Sequence, residues 1–278
     1  MIHLVLAILS SASVSVIMRL SERHVRNNVS MLAVNYWMCA LLAALFAGGA
    51  RLLPSGEGAA FAVSFGAFNG LLYLGSFLLL QWNVRENGVV LPATFMKLGV
   101  LVPTLMAIAV FREAPTGAQL AGIAAAIVAI VMIRFERGEH RAKSGLGLIL
   151  LLLGGGATDA TSKIYEELGN PAFADPFLLW TFVAALVLCV GLCAAKNQGL
   201  RGADALFGLL IGIPNYFSAR FLLLSLSSVP AVVAYPTYSV ATIVVVTLAG
   251  LLLFGERLSR RQAAAMGIIL AALAMLNL

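Results

Sequence analysis

Four ionisable side chains stand inside long apolar stretches of this chain: Lys97, Asp159, Lys163 and Arg220, with Arg19 at the end of a further stretch. Charge is costly inside a bilayer, so each is a functional candidate by default. The excess is positive, and fixed cations of this kind favour a solute that carries a carboxylate or phosphate. Lys97 has no acid three or four residues away on its own segment. Three roles are open to it: a ligand for substrate or coupling ion, a partner of Asp159 reaching across from another segment, or a neutral amine, since buried lysines give up their proton readily.

Asp159 and Lys163 are four apart with the acid first, the favoured order for a pair on one helix face. Asp159 is also the one carboxylate deep in an apolar run, which makes it the candidate for coupling to protons, and it follows the glycines Gly154, Gly155 and Gly156. Arg220 comes one helical turn after Tyr216 and follows Pro214 and Asn215. It reads either as a ligand flanked by that tyrosine or as a cation snorkelling to an interface. Lys163 and Arg19 lie near the ends of their stretches, where interfacial anchoring competes with a ligand role. Tyr235 and Tyr238 flank Pro236, and Tyr238 is the further candidate to face a cavity.

The elements that must position these groups are membrane spans. The chain is 61% hydrophobic and 11% charged, with a mean hydropathy of +0.99. That leaves too little polar surface to coat a water-soluble domain. About 20 mostly apolar residues span a bilayer as helix. Ten such runs are present, near 2–18, 29–49, 60–80, 89–111, 116–133, 145–163, 172–195, 203–226, 229–254 and 259–277. The prolines Pro92, Pro103, Pro214 and Pro236 fall within them and each removes a backbone hydrogen bond. Small residues four apart, at Ala62, Gly66 and Gly70 and at Gly208 and Gly212, allow close helix approach.

A shift of 143 residues places the second half of the chain on the first. Tyr216 falls on Tyr73, Val232 on Val89, Thr237 on Thr94, Phe254 on Phe111, Glu256 on Glu113 and Trp180 on Trp37. On the face that carries Tyr216 and Arg220, the first half has Asn69, Tyr73 and Phe77, so the arginine replaces an aromatic residue. The expected organisation is a first five-helix repeat over 1–133, a basic linker over 134–144 and a second repeat over 145–278. An odd number of crossings per copy makes the repeats inverted, in an all-α integral membrane fold of ten transmembrane helices.

The basic residues are scattered through short connections rather than gathered on one face, which argues against a nucleic-acid partner. Most lie in the odd-numbered connections, the fifth holding Arg134, Arg137, Arg141 and Lys143, whereas connections two and four hold only Arg51 and Arg112. The positive-inside rule then puts both termini outside. Cys39, Cys189 and Cys193 all sit in apolar runs and read as packing residues. His3, His24 and His140 lie at span ends or in connections and no HExxH occurs, so an intramembrane hydrolase has no base or metal ligands at depth. No GxxxxGK[ST] motif provides for ATP as a direct driver.

The segment ends FRE (Phe111–Glu113) and FGE (254–256), each followed six residues later by Gln119 or Gln262, and the stretch SSVPAVVAYPTYS over 227–239 carry a family likeness. On these positions and the repeat layout, the whole chain resembles the EamA-type transporters of the drug/metabolite transporter superfamily. The resemblance implies a ten-helix carrier of two inverted repeats around a central cavity. Two features depart from it: spans one and six carry Ser10–Ser13 and Gly154–Asp159 where the family often has a tryptophan, and relatives usually hold both termini in the cytoplasm.

The expected function is secondary active transport, by alternating access, of a small polar metabolite with an anionic or zwitterionic group. Lys97, Arg220, Tyr73, Tyr216, Asn69, Asn215, Lys163 and Tyr238 would meet the solute and Asp159 would carry the coupling charge. An exporter of cationic drugs with Asp159 as counter-charge is the alternative within transport. An intramembrane enzyme and a membrane assembly subunit are the alternatives outside it. The expected partners are the solute, the lipid bilayer and a proton or counter-solute, in a monomer or homodimer of a bacterial cytoplasmic (inner) membrane, with no cofactor or metal.

Overall fold

The computed structural model describes residues 1–21, 24–48, 54–87, 90–134, 145–197, 199–254 and 260–278. The 135–144 part of the expected linker and Glu256 of the second FGE segment lie outside the described residues. Among those described, the regular structure is helical: α1 (Ile2–Ser21), α2 (Asn28–Ala47), α3 (Ala59–Asn87), α4 (Val90–Leu98), α5 (Leu101–Ala109), α6 (Gly117–Arg134), α7 (Gly145–Leu168), α8 (Ala174–Ala195), α9 (Gly202–Leu226), α10 (Ala231–Phe254) and α11 (Arg260–Leu276), with one 3-10 turn at Pro171–Phe173. No strand occurs among them. Seven helices are long and apolar enough to cross a membrane, namely α1, α2, α3, α7, α8, α9 and α10, the window for α8 opening at Pro171. The all-helical membrane fold expected from composition is therefore present.

The run 89–111 is not one helix. It breaks into α4 and α5 at Gly99 and Val100. Pro103 has no N–H to return to the Gly99 carbonyl, which instead accepts from Val102 N at 2.9 Å. Gly99 also lies against α7: a Cβ there would come within 3.0 Å of Gly156 N and Leu152 O. The break places Lys97 in the last turn of α4, where the partial negative charge of a helix C-terminus favours a cation.

The chain packs as two compact units. One holds Met1, 75–163 and 226–278, and the other holds 2–74 and 164–225. Each draws helices from both the N-terminal and the C-terminal half of the chain.

In the unit built on 75–163 and 226–278, α6, α10 and α11 share a core of Ala126, Ala129, Ile130, Val240, Ile269 and Ala272. Small side chains let the backbones close up, and a Cβ at Gly122 would meet the Ala272 carbonyl at 3.1 Å. In the unit built on 2–74 and 164–225, Gly66 and Gly70 of α3 lie against α8 backbone at Phe177 and Thr181, while Gly208 and Gly212 of α9 lie against Met31, Val34, Asn35 and Met38 of α2. The small-residue spacing thus sits where helices touch. Phe177, Phe182, Tyr36 and Tyr216 fill the interior of this unit.

Polar caps end the helices as the sequence allows. Asn27 accepts from the N–H groups of Val29 and Ser30 at the start of α2. Thr116 and Gln119 bond each other's backbone N–H at 3.2 and 3.0 Å, a capping box at the start of α6. The glutamine after the FRE segment gains a local reason here.

Candidate functional site

Lys97, Asp159, Lys163 and Tyr238 fall in the unit of 75–163 and 226–278, whereas Asn69, Tyr73, Asn215, Tyr216 and Arg220 fall in the other. In the first, Lys97 and Asp159 are both partly buried, and Lys97 is near enough to act on the Asp159 carboxylate through space. Of the roles open to Lys97, the partnership across helices is the one that this electrostatic effect supports. Tyr235 of α10 fixes the same level of α7 by donating its hydroxyl to the Asp159 carbonyl at 2.7 Å. Tyr238 follows on α10 and is partly exposed. Two buried hydroxyl oxygens of this unit, Ser76 Oγ and Thr237 Oγ1, have no hydrogen-bond partner among the described residues.

Lys163 turns to an acid that the spacing on its own helix does not reveal. Its Nζ lies 2.9 Å from Glu113 Oε1, with the two side chains 4% and 14% exposed, and 5.5 Å from the centre of the Phe111 ring. Burial this deep rules out snorkelling to an interface. Arg19, its near counterpart on α1, is exposed in the last turn of that helix and keeps the anchor reading.

Glu113 sits in the connection after α5, aimed by an unusual backbone. Arg112 adopts a left-handed conformation at φ 56°, and Glu113 N returns to the Ala107 carbonyl at 3.0 Å, closing the helix as a Schellman-type cap. The carboxylate then accepts from Ala231 N at 3.1 Å and Val232 N at 2.9 Å. These are free first-turn donors of α10, at the positive end of its dipole. Burial by itself would raise the Glu113 carboxyl, but the Val232 N–H, the Lys163 ammonium and the Ala231 N–H outweigh it and hold the group below its ordinary value.

In the other unit Arg220 is likewise met. It donates to the Tyr216 hydroxyl at 3.0 Å and forms an ion pair with Asp175 in the first turn of α8 at 3.1 Å. Its guanidinium also lies 4.3 Å from the Phe46 ring centre, a stacked cation–π contact that lysine would not reproduce. Asn215 donates to Asn35 Oδ1 at 3.2 Å, and Cys39 Sγ donates to the Gly212 carbonyl at 3.3 Å, so the neighbourhood of Pro214 is bound to α2 by polar groups. Tyr73 packs edge-on to Tyr36 and Phe182. Asn69 is buried and its Oδ1 has no partner among the described residues.

Sequence reasoning missed Glu113, Asp175 and Asn35 as members of these clusters. Glu113 left a trace, because it recurs in the FRE and FGE segments. Asp175 left only its place as a first-turn acid, since its partner is 45 residues away.

Residues 177–269 match the family model described as Small Multidrug Resistance protein. That segment includes Asn215, Tyr216, Arg220 and Tyr238 but neither Lys97 nor Asp159. The chain is 25% identical over 273 residues to a protein of Haemophilus influenzae described as an uncharacterized protein, covering 93% of this chain and 91% of that one. A solved structure titled "Crystal structure of protein" superposes with a TM-score of 0.77 at 14% identity, over 99% of this chain and 94% of that chain, and shares its fold. The family match and the seven apolar helices support an integral membrane protein of a transporter family, and point to a transporter rather than an enzyme.

Proposed function

We propose that the chain is a secondary active transporter of the EamA type, moving a small polar metabolite with a zwitterionic or anionic group by alternating access between two inverted five-helix repeats, 1–133 and 145–278. One observation carries the reading: Lys97 of α4 and Asp159 of α7, opposite in charge, both stand partly exposed in one unit built of apolar helices. Lys163 and Arg220 form ion pairs of their own, with Glu113 and Asp175. A zwitterion matches the charges of Lys97 and Asp159 in kind, its carboxylate at Lys97 and its ammonium at Asp159. Asp159 also carries the coupling proton. Buried oxygens at Ser76 and Thr237, in the unit of Lys97 and Asp159 and without a hydrogen-bond partner among the described residues, favour a polar solute over an apolar one.

The uneven spread of Lys and Arg supports both termini outside. A reporter fused at either end, active only in the cytoplasm, reads the orientation.

The match of 177–269 to the Small Multidrug Resistance model favours a second reading, export of lipophilic cations with Asp159 as counter-charge. A thermal-shift panel of amino acids, organic acids, nucleotide sugars and tetraphenylphosphonium separates the two. A bound ligand at about 100 times its Kd stabilises by roughly 2.7 kcal/mol, well within reach of such a panel. Stabilisation by a zwitterion or anion that Lys97→Met abolishes supports the first reading. Stabilisation by tetraphenylphosphonium alone, lost in Asp159→Asn and kept in Lys97→Met, replaces it with the second.

A further inference from the structure

The pair formed by Glu113 and Lys163 joins three elements at one end of its unit: the connection after α5, the C-terminal part of α7 and the first turn of α10. The opposite end of α7 is held differently, by Asn83 of α3 donating to the Gly147 carbonyl at 3.0 Å. Lys163 is buried and has to keep a counter-charge wherever it goes. A second carboxylate, Asp159, lies one turn earlier on α7, in the order that suits an i, i+4 pair. One ammonium with an acid across the helices and a second acid four residues back on its own helix has the makings of a two-position element.

We propose that Glu113 and Lys163 form a latch on α10, and that the latch opens when Lys163 leaves Glu113 for Asp159. With the ammonium on Glu113, the first turn of α10 is tied to α7. With the ammonium on Asp159, Glu113 keeps only the two backbone donors, and this end of the unit loosens. The charge state of Asp159, on which Lys97 of α4 also acts, decides between the positions, since a neutral Asp159 offers Lys163 no counter-charge. The proposal rests on the transport reading above, in which loading of Asp159 then sets which end of the carrier is closed.

The test uses the full chain in nanodiscs with Cys39, Cys189 and Cys193 replaced by Ala. A single reporter cysteine is placed at Ala231 beside the latch or at Leu148 near the other end of α7, both buried. The rate of labelling by a water-soluble maleimide is read for each. Glu113→Gln should speed labelling at 231 about tenfold, the effect of a shift of roughly 1.4 kcal/mol in a two-state equilibrium, and slow it at 148. Asp159→Asn should slow labelling at 231, because Lys163 then has one acid left. Glu113→Asp, which keeps the charge, should restore most of the wild-type rate. Equal rates in Glu113→Gln and the parent, faster labelling at both reporters, or an Asp159→Asn that mimics Glu113→Gln would each overturn the latch. If the rates at 231 move as expected and those at 148 stay constant, the latch stands and alternating access falls.

Discussion

Each unit has an ion pair between helices, and the two pairs solve the same problem by different means. Lys163 is almost fully buried and Glu113 only slightly exposed, so the carboxylate is met largely inside the protein, and the first turn of α10 supplies two backbone donors. Arg220 and Asp175 are 19% and 27% exposed. Water can serve part of that pair, and aromatic faces at Phe46 and Tyr216 take the rest of the guanidinium. A buried pair is thus woven into the backbone, whereas a half-buried one is supported by side chains. Loss of one partner should tell them apart.

The largest effect is expected from Glu113→Ala, which leaves Lys163 buried without that acid and frees two N–H groups of α10. About 3–5 kcal/mol of stability should go, read as a fall in the thermal unfolding midpoint in detergent micelles. A midpoint unchanged within error would mean that water already reaches the site. Arg220→Ala should cost less, roughly 1–2 kcal/mol, because solvent screens the remaining Asp175. An equal or larger loss there would erase the contrast between the pairs.

Acid should weaken the Glu113 pair selectively. The carboxyl is held in the folded protein below its ordinary value of 4.5, so its contribution is complete above that pH and is lost as pH falls through the lower folded value. Unfolding midpoints followed below pH 4.5 should therefore drop more steeply in the parent than in Glu113→Gln. Parallel curves would count against the charge assignment. The smallest change, and a gain, is expected at Arg112→Gly, which relieves a left-handed non-glycine residue and should add about 0.5–1 kcal/mol. A loss there would show that the arginine side chain itself holds the cap.

Much of the membrane fold was legible because one property, apolar length, repeats along the chain and needs no knowledge of neighbours. The small-residue spacing at Gly66, Gly70, Gly208 and Gly212 likewise marked true helix contacts. The break in the fourth run was less legible. Pro103 was visible, but it took Gly99 packed against Gly156 to turn a tolerated kink into two helices and to put Lys97 at a helix end.

The sequence offered Asp159 as one possible partner of Lys97, but it did not pair Lys163 with Glu113 or Arg220 with Asp175. A helix that is apolar on every side gives no sign of which face meets which neighbour, and Glu113 and Asp175 lie 50 and 45 residues from the cations that they meet.

By itself, the sequence determined that this chain lives in a bilayer and that a few charges stand where lipid would refuse them. Only the tertiary structure decided that Lys163 belongs to Glu113 and that Arg220 belongs to Asp175. The physical reason is that span formation depends on local transfer from water into hydrocarbon, whereas charge pairing depends on distances fixed only when separate helices pack.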